Sequence, residues 1–224
     1  MTFTPPKNTG FVTGLMAEAA HLEHVSSSTF CSGGHPGRAA EGAQQLVDMG
    51  AMGLVSFGIC GGLDPSLTPG SLIIATMVIT PEGEKIRTDT AWRNHIMELI
   101  PGPLTIAGIA GSDHAVTSPQ AKGDLFVATG AAAVDMESHA VARVAIKTGV
   151  PFLVLRAISD PAHRTVPVSA MGGLGPDGHT RVLPVLRNLL LRPWELPDLL
   201  RLGRDMQKGL HALRRVADGG LSFS

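Results

Sequence analysis

The stretch VDMESHAVARVAIKTGVPFLVLRAISD, residues 134–160, decides the fold of this chain. Apolar residues between positions 138 and 147 recur at the spacing of an amphipathic helix, and Gly149 is typical of a helix end. Residues 150–158 are almost continuously apolar, as in a strand that is covered on both faces of its sheet. The stretch therefore predicts a strand, a helix and a second strand, with the two strands parallel and joined by a right-handed crossover.

An acidic residue follows each of the two expected strands, Glu137 after the first and Asp160 after the second. Ligands of parallel sheets collect at the carboxyl ends of the strands, so we expect both carboxylates at one edge. Glu137 begins a helix, whose dipole favours an ionised hydrogen-bond acceptor. Asp160 ends an apolar strand, where desolvation raises the pKa of a carboxyl group and keeps a proton available for donation. The alternative is that Asp160 or Ser159 only caps a helix beginning at Pro161.

The composition is that of one globular α/β domain. The chain has 224 residues, of which 44% are hydrophobic and 17% charged, and these values favour a well-packed domain over a disordered chain. We expect one domain over residues 1–224, in which residues 182–224 form a helical tail. The formal net charge of −1 predicts no basic surface of the kind that binds nucleic acid, so we expect no nucleic-acid partner.

Neither the cysteines nor the histidines form a disulfide or metal-binding pattern. Cys31 and Cys60 lie near glycines in apolar surroundings, which predicts small buried thiols. None of the nine histidines falls in a paired ligand motif, so we expect no metal. The N-terminus lacks the pattern of a signal peptide, and no apolar run reaches membrane-spanning length. These features predict a cytoplasmic protein.

Two motifs resemble the signature of a known family. VDME at residues 134–137 and RAISD at residues 156–160 are similar to motifs of the nucleoside phosphorylase and nucleosidase superfamily, which includes purine nucleoside phosphorylases and methylthioadenosine/S-adenosylhomocysteine nucleosidases. The resemblance implies a single α/β domain with a twisted mixed sheet flanked by helices. It also implies that Glu137 accepts hydrogen bonds from the ribose 2′ and 3′ hydroxyls, that Met136 packs on the sugar, and that Asp160 protonates purine N7.

The resemblance implies further substrate contacts near these motifs. The segment GICGGL, residues 58–63, is similar to a superfamily turn that passes under the ribose, which places Gly61 beside the substrate. Ser159 is expected to contact the substrate next to the acid. Ala115 and Val116 follow a strand expected at residues 104–110, and the resemblance implies that they form one wall of the purine pocket.

The segment TFCSGGHPGR, residues 29–38, fits an anion site. The backbone N–H groups of Gly33 and Gly34 can approach an anion closely, the following helix start adds a favourable dipole, and Arg38 offers a guanidinium suited to phosphate. The superfamily has a phosphate-binding loop at this point, so the resemblance implies phosphate binding by these residues; the alternative is an ordinary tight turn. No cofactor is expected, with inorganic phosphate as the co-substrate of a phosphorolysis.

Three positions depart from the superfamily pattern. Ser56 stands where some phosphorylases carry an arginine, and Ile59 replaces a usual serine. Ala19 stands where the nucleosidases carry a glutamate that helps to activate the attacking water. Glu18 is adjacent, but one residue turns about 100° around a helix, so we expect Glu18 to be a solvent-facing or capping residue. Phosphate and water both stay open as the nucleophile.

The nearest branch by resemblance is the group of hopanoid-associated phosphorylases. The shared segments are GLxAEA at residues 14–19, SFGIxGGLDP at 56–65, VDMES at 134–138 and SDPAxR at 159–164. This resemblance implies removal of adenine from adenosylhopane, a lipid-linked nucleoside, in hopanoid biosynthesis. The alternatives are a soluble methylthioadenosine/S-adenosylhomocysteine-type nucleosidase, a purine nucleoside phosphorylase, and a catalytically silent nucleoside-binding protein.

The tail is more apolar than a solvated chain end requires. Three leucines at residues 189–191 lie close to Trp194, and Arg187, Arg192 and Arg201 accompany them. One interpretation is packing against the domain or against a neighbouring subunit of a homo-oligomer. The other is peripheral contact with the inner membrane, where arginines meet anionic head groups. For a lipid-linked substrate we expect an open apolar groove from the ribose site toward this tail.

Overall fold

The structure, a computed structural model, describes residues 4–26, 28–100 and 102–220. Its strands are β1 (Thr9–Thr13), β2 (Thr29–Cys31), β3 (Gly53–Gly62), β4 (Leu72–Ile79), β5 (Lys85–Arg87), β6 (Thr105–Gly111), β7 (Ala133–Asp135) and β8 (Phe152–Asp160). Its α-helices are α1 (Met16–Ala19), α2 (Pro36–Asp48), α3 (Thr90–Leu99), α4 (Pro119–Thr129), α5 (Ser138–Thr148), α6 (Val182–Leu191) and α7 (Leu196–Gly220). Short 3₁₀ helices cover Ala20–Leu22, Val168–Ala170 and Pro193–Glu195. Residues 1–3 of the predicted domain and residues 221–224 of its predicted tail lie outside the described residues.

The strands join in one sheet, which is organised around β3. β3 pairs in parallel with β1 and β8 and in antiparallel with β7. β8 also pairs in antiparallel with β4, and β4 connects through β6 to β7. The sheet therefore curls, because β3 and β4 are joined by β8 on one side and by β6 and β7 on the other. The expected single-domain α/β fold, with a mixed sheet flanked by helices, is confirmed.

The expected parallel orientation of the two strands within residues 134–160 is wrong, because β7 and β8 run in opposite directions along β3. In the described sheet β7 and β8 do not pair with each other; both pair with β3, β7 in antiparallel and β8 in parallel. The two pairings converge at Gly61, which lies opposite Val134 of β7 and, after a register shift, opposite Asp160 of β8. Periodicity predicts the strands but not that a strand from a distant part of the chain separates them.

Helices cover both faces of the sheet. On one face α2 and α5 pack small apolar residues against the strands, in a core cluster that includes Ala43 and Val141. On the other face α3 and α7 contribute Trp92 and Leu213 to a second core cluster. As the sequence predicts, α5 ends at Gly149, which adopts the left-handed conformation with φ of 75°.

Two segments differ from their predictions. The expected turn at residues 58–63 is instead the continuation of β3, which runs without interruption to Gly62. The polar composition of residues 79–93 predicts a peripheral excursion, but this segment contains β5 and the start of α3. Ile86 and Trp92 are buried within this segment, and each anchors its element in the core. A single buried apolar residue is enough to anchor a short strand or helix in the core. It changes the overall polarity of the segment too little to be noticed in the sequence.

The two tail helices are buried to different extents. α7 packs along β8 and buries Leu210, Leu213 and Val216, whereas no residue of α6 is buried. Among the described residues no helix is both long and apolar enough to cross a membrane. Cys60 is buried as expected, but Cys31 is only half-buried, and both are free thiols. In the described parts of the chain no three histidine, cysteine or acidic side chains are arranged so that they could hold a metal ion.

Candidate active site

Glycines in the last part of β3 leave space that charged side chains fill. A β-carbon at Gly58 would lie 2.5 Å from Arg156 Nη1 and 2.8 Å from Glu18 Oε1. A β-carbon at Gly61 would lie 3.2 Å from Asp160 Oδ2. Any side chain at Gly58 would displace the charged groups, so glycine is required here for close approach rather than for a turn. The end of β3 is the surface on which these groups converge.

Asp160, at the end of β8, is paired with a buried lysine of α4. Lys122 Nζ lies 2.6 Å from Asp160 Oδ2, and the Lys122 side chain is fully buried. The other carboxyl oxygen, Asp160 Oδ1, lies 2.8 Å from Ser159 Oγ. The chain after Pro161 forms a turn rather than a helix, so helix capping does not account for Asp160. The carboxyl group of Asp160 is instead held by the side chains of Lys122 and Ser159.

Opposing effects act on the acidity of Asp160. Burial raises the pKa of this carboxyl group above its ordinary value, and burial is the largest effect. The charge and hydrogen bond of Lys122 and the hydrogen bond of Ser159 act in the opposite direction. Burial prevails, so Asp160 holds its proton to a higher pH than an exposed aspartate does.

A buried arginine of β8 organises the second group of charges. Arg156 Nε lies 2.5 Å from Asp135 Oδ2, and Arg156 Nη2 lies 3.1 Å from Glu137 Oε2. Arg156 Nη2 also donates a hydrogen bond of 2.7 Å to Ser56 Oγ. Ser56 stands where some phosphorylases carry an arginine. In this chain Arg156 of the neighbouring strand β8 brings a guanidinium to the same point. Ser138 completes the group, since its hydroxyl contacts Asp135.

Glu18 belongs to the same group, which corrects the expectation of a solvent-facing side chain. It is 1% exposed, and its Oε2 accepts hydrogen bonds of 2.8 Å from the N–H groups of Gly14 and Leu15. The bond to Leu15 caps α1, so the capping half of the expectation is confirmed. Oε1 accepts a further bond of 2.8 Å from the Ile59 N–H group of β3. Helix α1 is only four residues long, so rotation around a regular helix does not govern which side chain enters the site.

One positive charge in this group faces three carboxyl groups. Arg156 stays charged, because Asp135, Glu137 and Glu18 outweigh its burial and raise its pKa. Burial raises the pKa of Glu137 to about 7; Arg156 opposes this shift, and the charges of Asp135 and Glu18 add to it. Burial likewise raises the pKa of Glu18. One guanidinium cannot neutralise three carboxylates, and Glu137 and Glu18 hold their protons to a higher pH than exposed glutamates do.

A later segment of the chain, residues 172–181, covers the glycines of the predicted phosphate loop at residues 29–38. Gly33 and Gly34 adopt φ of 69° and 71°. Residues 172–181 fold back as a hairpin, here called the 172–181 hairpin, in which an isolated bridge joins Leu174 and Thr180. A β-carbon at Gly33 would lie 2.4 Å from the Pro176 carbonyl oxygen, and one at Gly34 would lie 2.8 Å from Leu174 Cδ2. The hairpin therefore rests directly on the loop.

The remaining predicted residues surround this centre at different depths. Met136 is half-buried at the end of β7, between Asp135 and Glu137. Val116 is half-buried and packs on the apolar cluster that contains Val134. Ala115 is exposed in the loop after β6. Arg38 is half-buried in α2 and makes no hydrogen bond or ion pair with the described residues. Their substrate and phosphate contacts stay predictions.

Comparison with known proteins decides the family. The family model of the phosphorylase superfamily matches residues 27–172, which is more than half of the chain. The chain belongs to the phosphorylase superfamily. The match includes both motifs of residues 134–160, the loop at residues 29–38, Lys122 and the whole of β3, whereas Glu18 and most of the 172–181 hairpin lie outside it.

Individual relatives of this superfamily member are nucleosidases and a hydrolase. A 5′-methylthioadenosine/S-adenosylhomocysteine nucleosidase of Marinomonas sp. (strain MWYL1) is 32% identical over 142 residues, which cover 52% of this chain and 59% of the nucleosidase. The match thus spans less than two thirds of that relative's length. The nucleosidase of the same name from Helicobacter pylori has a TM-score of 0.67 at 19% identity, over 94% of this chain and 97% of that chain. Futalosine hydrolase of H. pylori strain 26695 has a TM-score of 0.62 at 21% identity, over 68% and 87%. At these identities the two structures show the fold.

Some of the residues predicted from the sequence lie together in the structure, and others do not. The structure brings together Asp160, Ser159 and Gly61, and it places Glu137 beside Arg156. Arg156 was missed as a functional side chain, although one charged residue inside an apolar strand is a detectable signal. Lys122 carries no such signal, because a lysine near the start of an ordinary helix is typical of an exposed position.

Proposed function

We propose that this protein hydrolyses the N-glycosidic bond of an adenine nucleoside and releases adenine. The observation that carries the proposal is the pair of carboxyl groups at the end of β3, with Asp160 beside Lys122 and Glu137 beside Arg156. The two acids have different partners, as expected when one donates a proton and the other accepts hydrogen bonds. The names of the relatives, a 5′-methylthioadenosine/S-adenosylhomocysteine nucleosidase and a futalosine hydrolase, support this class of reaction.

In the proposed reaction Asp160 acts as the general acid. Its proton passes to purine N7 while the bond from the ribose C1′ to the purine N9 breaks, and the bonding electrons stay on the purine. Glu137 accepts hydrogen bonds from the ribose hydroxyls, and Met136 packs on the sugar. The buried position of both acids supports these roles, because electrostatic effects on the developing charge are stronger where water is excluded.

The charges of the site favour water over phosphate as the nucleophile. Glu18, Asp135 and Glu137 surround the single guanidinium of Arg156, so a phosphate dianion would meet an excess of negative charge. In addition, the carbonyl oxygen of Pro176 faces Gly33, and this dipole has the wrong sign for an anion. Phosphate binding by Gly33, Gly34 and Arg38 would require the 172–181 hairpin to move away.

Glu18 is the proposed base that receives a proton from the attacking water. A β-carbon at Gly14 would lie 2.7 Å from Glu137 Oε1 and 3.6 Å from Glu18 Oε2, so the two carboxyl groups lie on the same side of this residue. Burial raises the pKa of Glu18, which makes its carboxylate a better proton acceptor. Glu18 would thus supply from an adjacent position the carboxylate that Ala19 lacks.

We further propose that the nucleoside carries a large apolar group at its 5′ end, as adenosylhopane does. Apolar side chains that lead from the predicted phosphate loop to α6 support this proposal. A β-carbon at Gly34 would lie 2.8 Å from Leu174 Cδ2, and one at the neighbouring Gly173 would lie 2.8 Å from Val185 of α6. The outer face of α6 and the following turn then expose large apolar residues, among them Leu183 (80%), Leu190 (83%) and Trp194 (70%). A lipid emerging along this path would find an apolar surface.

The charges around α6 favour an anionic lipid surface as its partner. Residues 181–204 contain five arginines and two acidic residues, whereas the whole chain has a net charge of −1. The arginines at positions 181, 187, 192, 201 and 204 are all exposed. Exposed leucines and a tryptophan flanked by arginines are typical of helices that lie in a membrane interface. This surface supports peripheral association of a cytoplasmic protein with the inner membrane.

The reaction is tested by following adenine release from 5′-methylthioadenosine, from adenosine and from a 5′-alkylthioadenosine with a long chain. Each is assayed with and without inorganic phosphate, and the sugar product is identified by mass spectrometry. We expect free ribosyl sugar at a rate that does not depend on phosphate. Ribose 1-phosphate would establish phosphorolysis instead. Tight binding of all three nucleosides without adenine release would identify a silent binding protein.

The surface of α6 is tested by sedimentation with vesicles. We expect binding to vesicles that contain an anionic phospholipid and weaker binding to zwitterionic ones. Leu183→Ser combined with Leu190→Ser should abolish binding, whereas Met49→Ser combined with Met52→Ser, which changes exposed methionines elsewhere, should not. If the parent does not bind vesicles and is a homo-oligomer, while the α6 variant is a monomer, α6 is a subunit interface. The substrate is then a soluble nucleoside.

A further inference from the structure

Lys122 is a buried charge for which the proposed reaction has no role so far. Its Nζ has three oxygen neighbours: Asp160 Oδ2 at 2.6 Å, the Pro161 carbonyl at 3.1 Å and the Arg164 carbonyl at 3.2 Å. A protonated lysine has three N–H donors and no acceptor, so this arrangement satisfies an ammonium group completely. A neutral amine has two N–H donors, so Lys122 could then donate to only two of the three oxygens. The geometry is therefore that of a charged lysine.

We propose that Lys122 is a positioning residue for the general acid: its ammonium group holds Asp160 Oδ2, leaves the acidic proton on Oδ1, and balances the charge that forms when this proton passes to the purine. The inference rests on the proposed function, since it names the partner of the same acid. Asp160 Oδ1 is the oxygen beside Ser159 Oγ, at 2.8 Å, and it carries no bond to Lys122.

The chemical step balances with Lys122 charged throughout. The C1′–N9 bond breaks with its electron pair on the purine, and the proton on Asp160 Oδ1 moves to N7. Asp160 becomes a carboxylate beside the ammonium group, so an ion pair forms where a charged lysine and a neutral acid stood before. Water forms the new bond to C1′, and its proton goes to Glu18. Formation of a buried carboxylate without a counter-charge would be unfavourable, and the ammonium group of Lys122 stabilises the carboxylate that forms on Asp160.

Two sets of contacts hold Lys122 and its oxygen neighbours in place. α4 starts with Ser118, whose hydroxyl accepts a hydrogen bond from the Ala121 N–H group, so Lys122 lies in an anchored first turn. The loop after Asp160 is tied to the start of α4 by a bond of 2.8 Å from the Val166 N–H group to the Thr117 carbonyl. These contacts fix the ammonium group relative to Asp160.

Few charged or titratable groups face Asp160. Lys122 approaches from α4, Arg164 from the loop after β8, and Cys60 from β3. Arg164 is itself paired with Asp205 of α7, which reduces its effect on Asp160. Lys122 is therefore the dominant positive charge at the acid.

The test compares Lys122→Gln, which removes the charge, with Lys122→Arg, which keeps it; Lys85→Gln, at an exposed lysine of β5, is the control. For Lys122→Gln we expect kcat for an adenine nucleoside to fall at least ~10-fold, which is part of the ~10²–10⁴ that a general acid contributes. The alkaline limb of the kcat profile should move up by about one pH unit, because an opposite charge normally lowers the pKa of an acid. The limb should stay near its original position in Lys122→Arg.

A second substrate separates positioning of the acid from a purely structural role. 4-Nitrophenyl riboside has a leaving group that needs no protonation, so its hydrolysis should change little in Lys122→Gln. An equal loss on both substrates with an unshifted pH profile would overturn the inference. If the parent hydrolyses no nucleoside, the proposed function fails, but the inference is still decided by following the Asp160 carboxyl carbon by NMR against pH in the parent and in Lys122→Gln. A titration that Lys122→Gln leaves unmoved would overturn it.

If Lys122→Gln does not fold, the parent decides the matter. The inference requires a charged Lys122 across the neutral pH range, which ¹⁵N NMR of its Nζ group measures directly. A neutral amine in that range could not balance the carboxylate, so its observation would reject the role assigned to Lys122.

Discussion

The charged cluster at the end of β3 and the surface of α6 distribute charge and apolar area in opposite ways. At the end of β3, Lys122 and Arg156 are at most 1% exposed, while on α6 Leu183 and Leu190 are at least 80% exposed. The buried charges have their partners within the chain, in Asp160, Asp135 and Glu137. The leucines of α6 have none that cover them among the described residues. The first region therefore finds its partners within the chain, whereas the second exposes the apolar area for which we propose a partner outside it.

The largest effect should follow from removing the central counter-charge of the buried region. Arg156→Met leaves Asp135 and Glu137 buried without their guanidinium, and breaking a buried pair in this way costs about 3–5 kcal/mol of unfolding free energy. Urea unfolding of the variant and the parent measures this loss. Arg143→Met, at an exposed arginine of α5, is the control and should change little. A loss below about 1 kcal/mol would show that the cluster is not held by Arg156.

The next effect concerns catalysis rather than stability. Asp160→Asn keeps the size of the side chain but removes the transferable proton, so turnover should fall at least ~10²-fold. Binding of an adenine nucleoside, measured by calorimetry, should survive. Asp124→Asn on the exposed face of α4 should keep the parent rate. If the activity of Asp160→Asn stays within a few-fold of that of the parent, Asp160 is not the general acid.

A smaller effect should appear as a pH dependence of stability. The pKa of Glu137 is raised from 4.5 to about 7 in the folded protein, so the folded state binds this proton more tightly than the unfolded chain. The associated stability is complete below pH 4.5 and is lost as the pH rises through about 7. At about 1.4 kcal/mol per pH unit, the loss is on the order of 3 kcal/mol.

Glu137→Gln removes this titration, so the difference in unfolding free energy between variant and parent should change with pH over the same window. Thermal melts at a series of pH values measure it. Glu98→Gln, at an exposed glutamate of α3, serves as the control and should give a difference that is independent of pH. A curve for Glu137→Gln parallel to that of the parent would contradict the raised pKa.

The smallest effect on stability should come from the apolar surface. Leu183→Ser combined with Leu190→Ser should change the free energy of unfolding by no more than about 0.5 kcal/mol, because neither side chain packs in the core. Leu213→Ala in α7, which is fully buried, should cost about 2–5 kcal/mol. If the α6 variant loses as much as the core variant, α6 already has its partner within the chain, and the contrast between the two regions disappears.

Much of this protein follows from local sequence pattern. The periodicity of residues 134–160 predicts α5 and β8 with boundaries close to those observed, and the break at Arg192 and Pro193 separates α6 from α7. The motifs at residues 134–137 and 156–160 predict Glu137 and Asp160 as site residues without any structure. These signals are short-range, because helix and strand periods, glycine stops and motif spacing are all read within a few residues.

Tertiary structure alone decided how the charges are paired. Lys122 and Asp160 lie 38 residues apart in the chain, and Glu18 reaches the Ile59 N–H group across 41. Whether a lysine or a glutamate is buried depends on which distant strand or loop supplies its partners, and a local pattern contains no record of that choice. For the same reason local pattern predicts the two strands of residues 134–160 as parallel, although β3 pairs with β7 in antiparallel and with β8 in parallel. Burial of a charge is a property of the assembled sheet, because only the assembled sheet brings the counter-charge within reach.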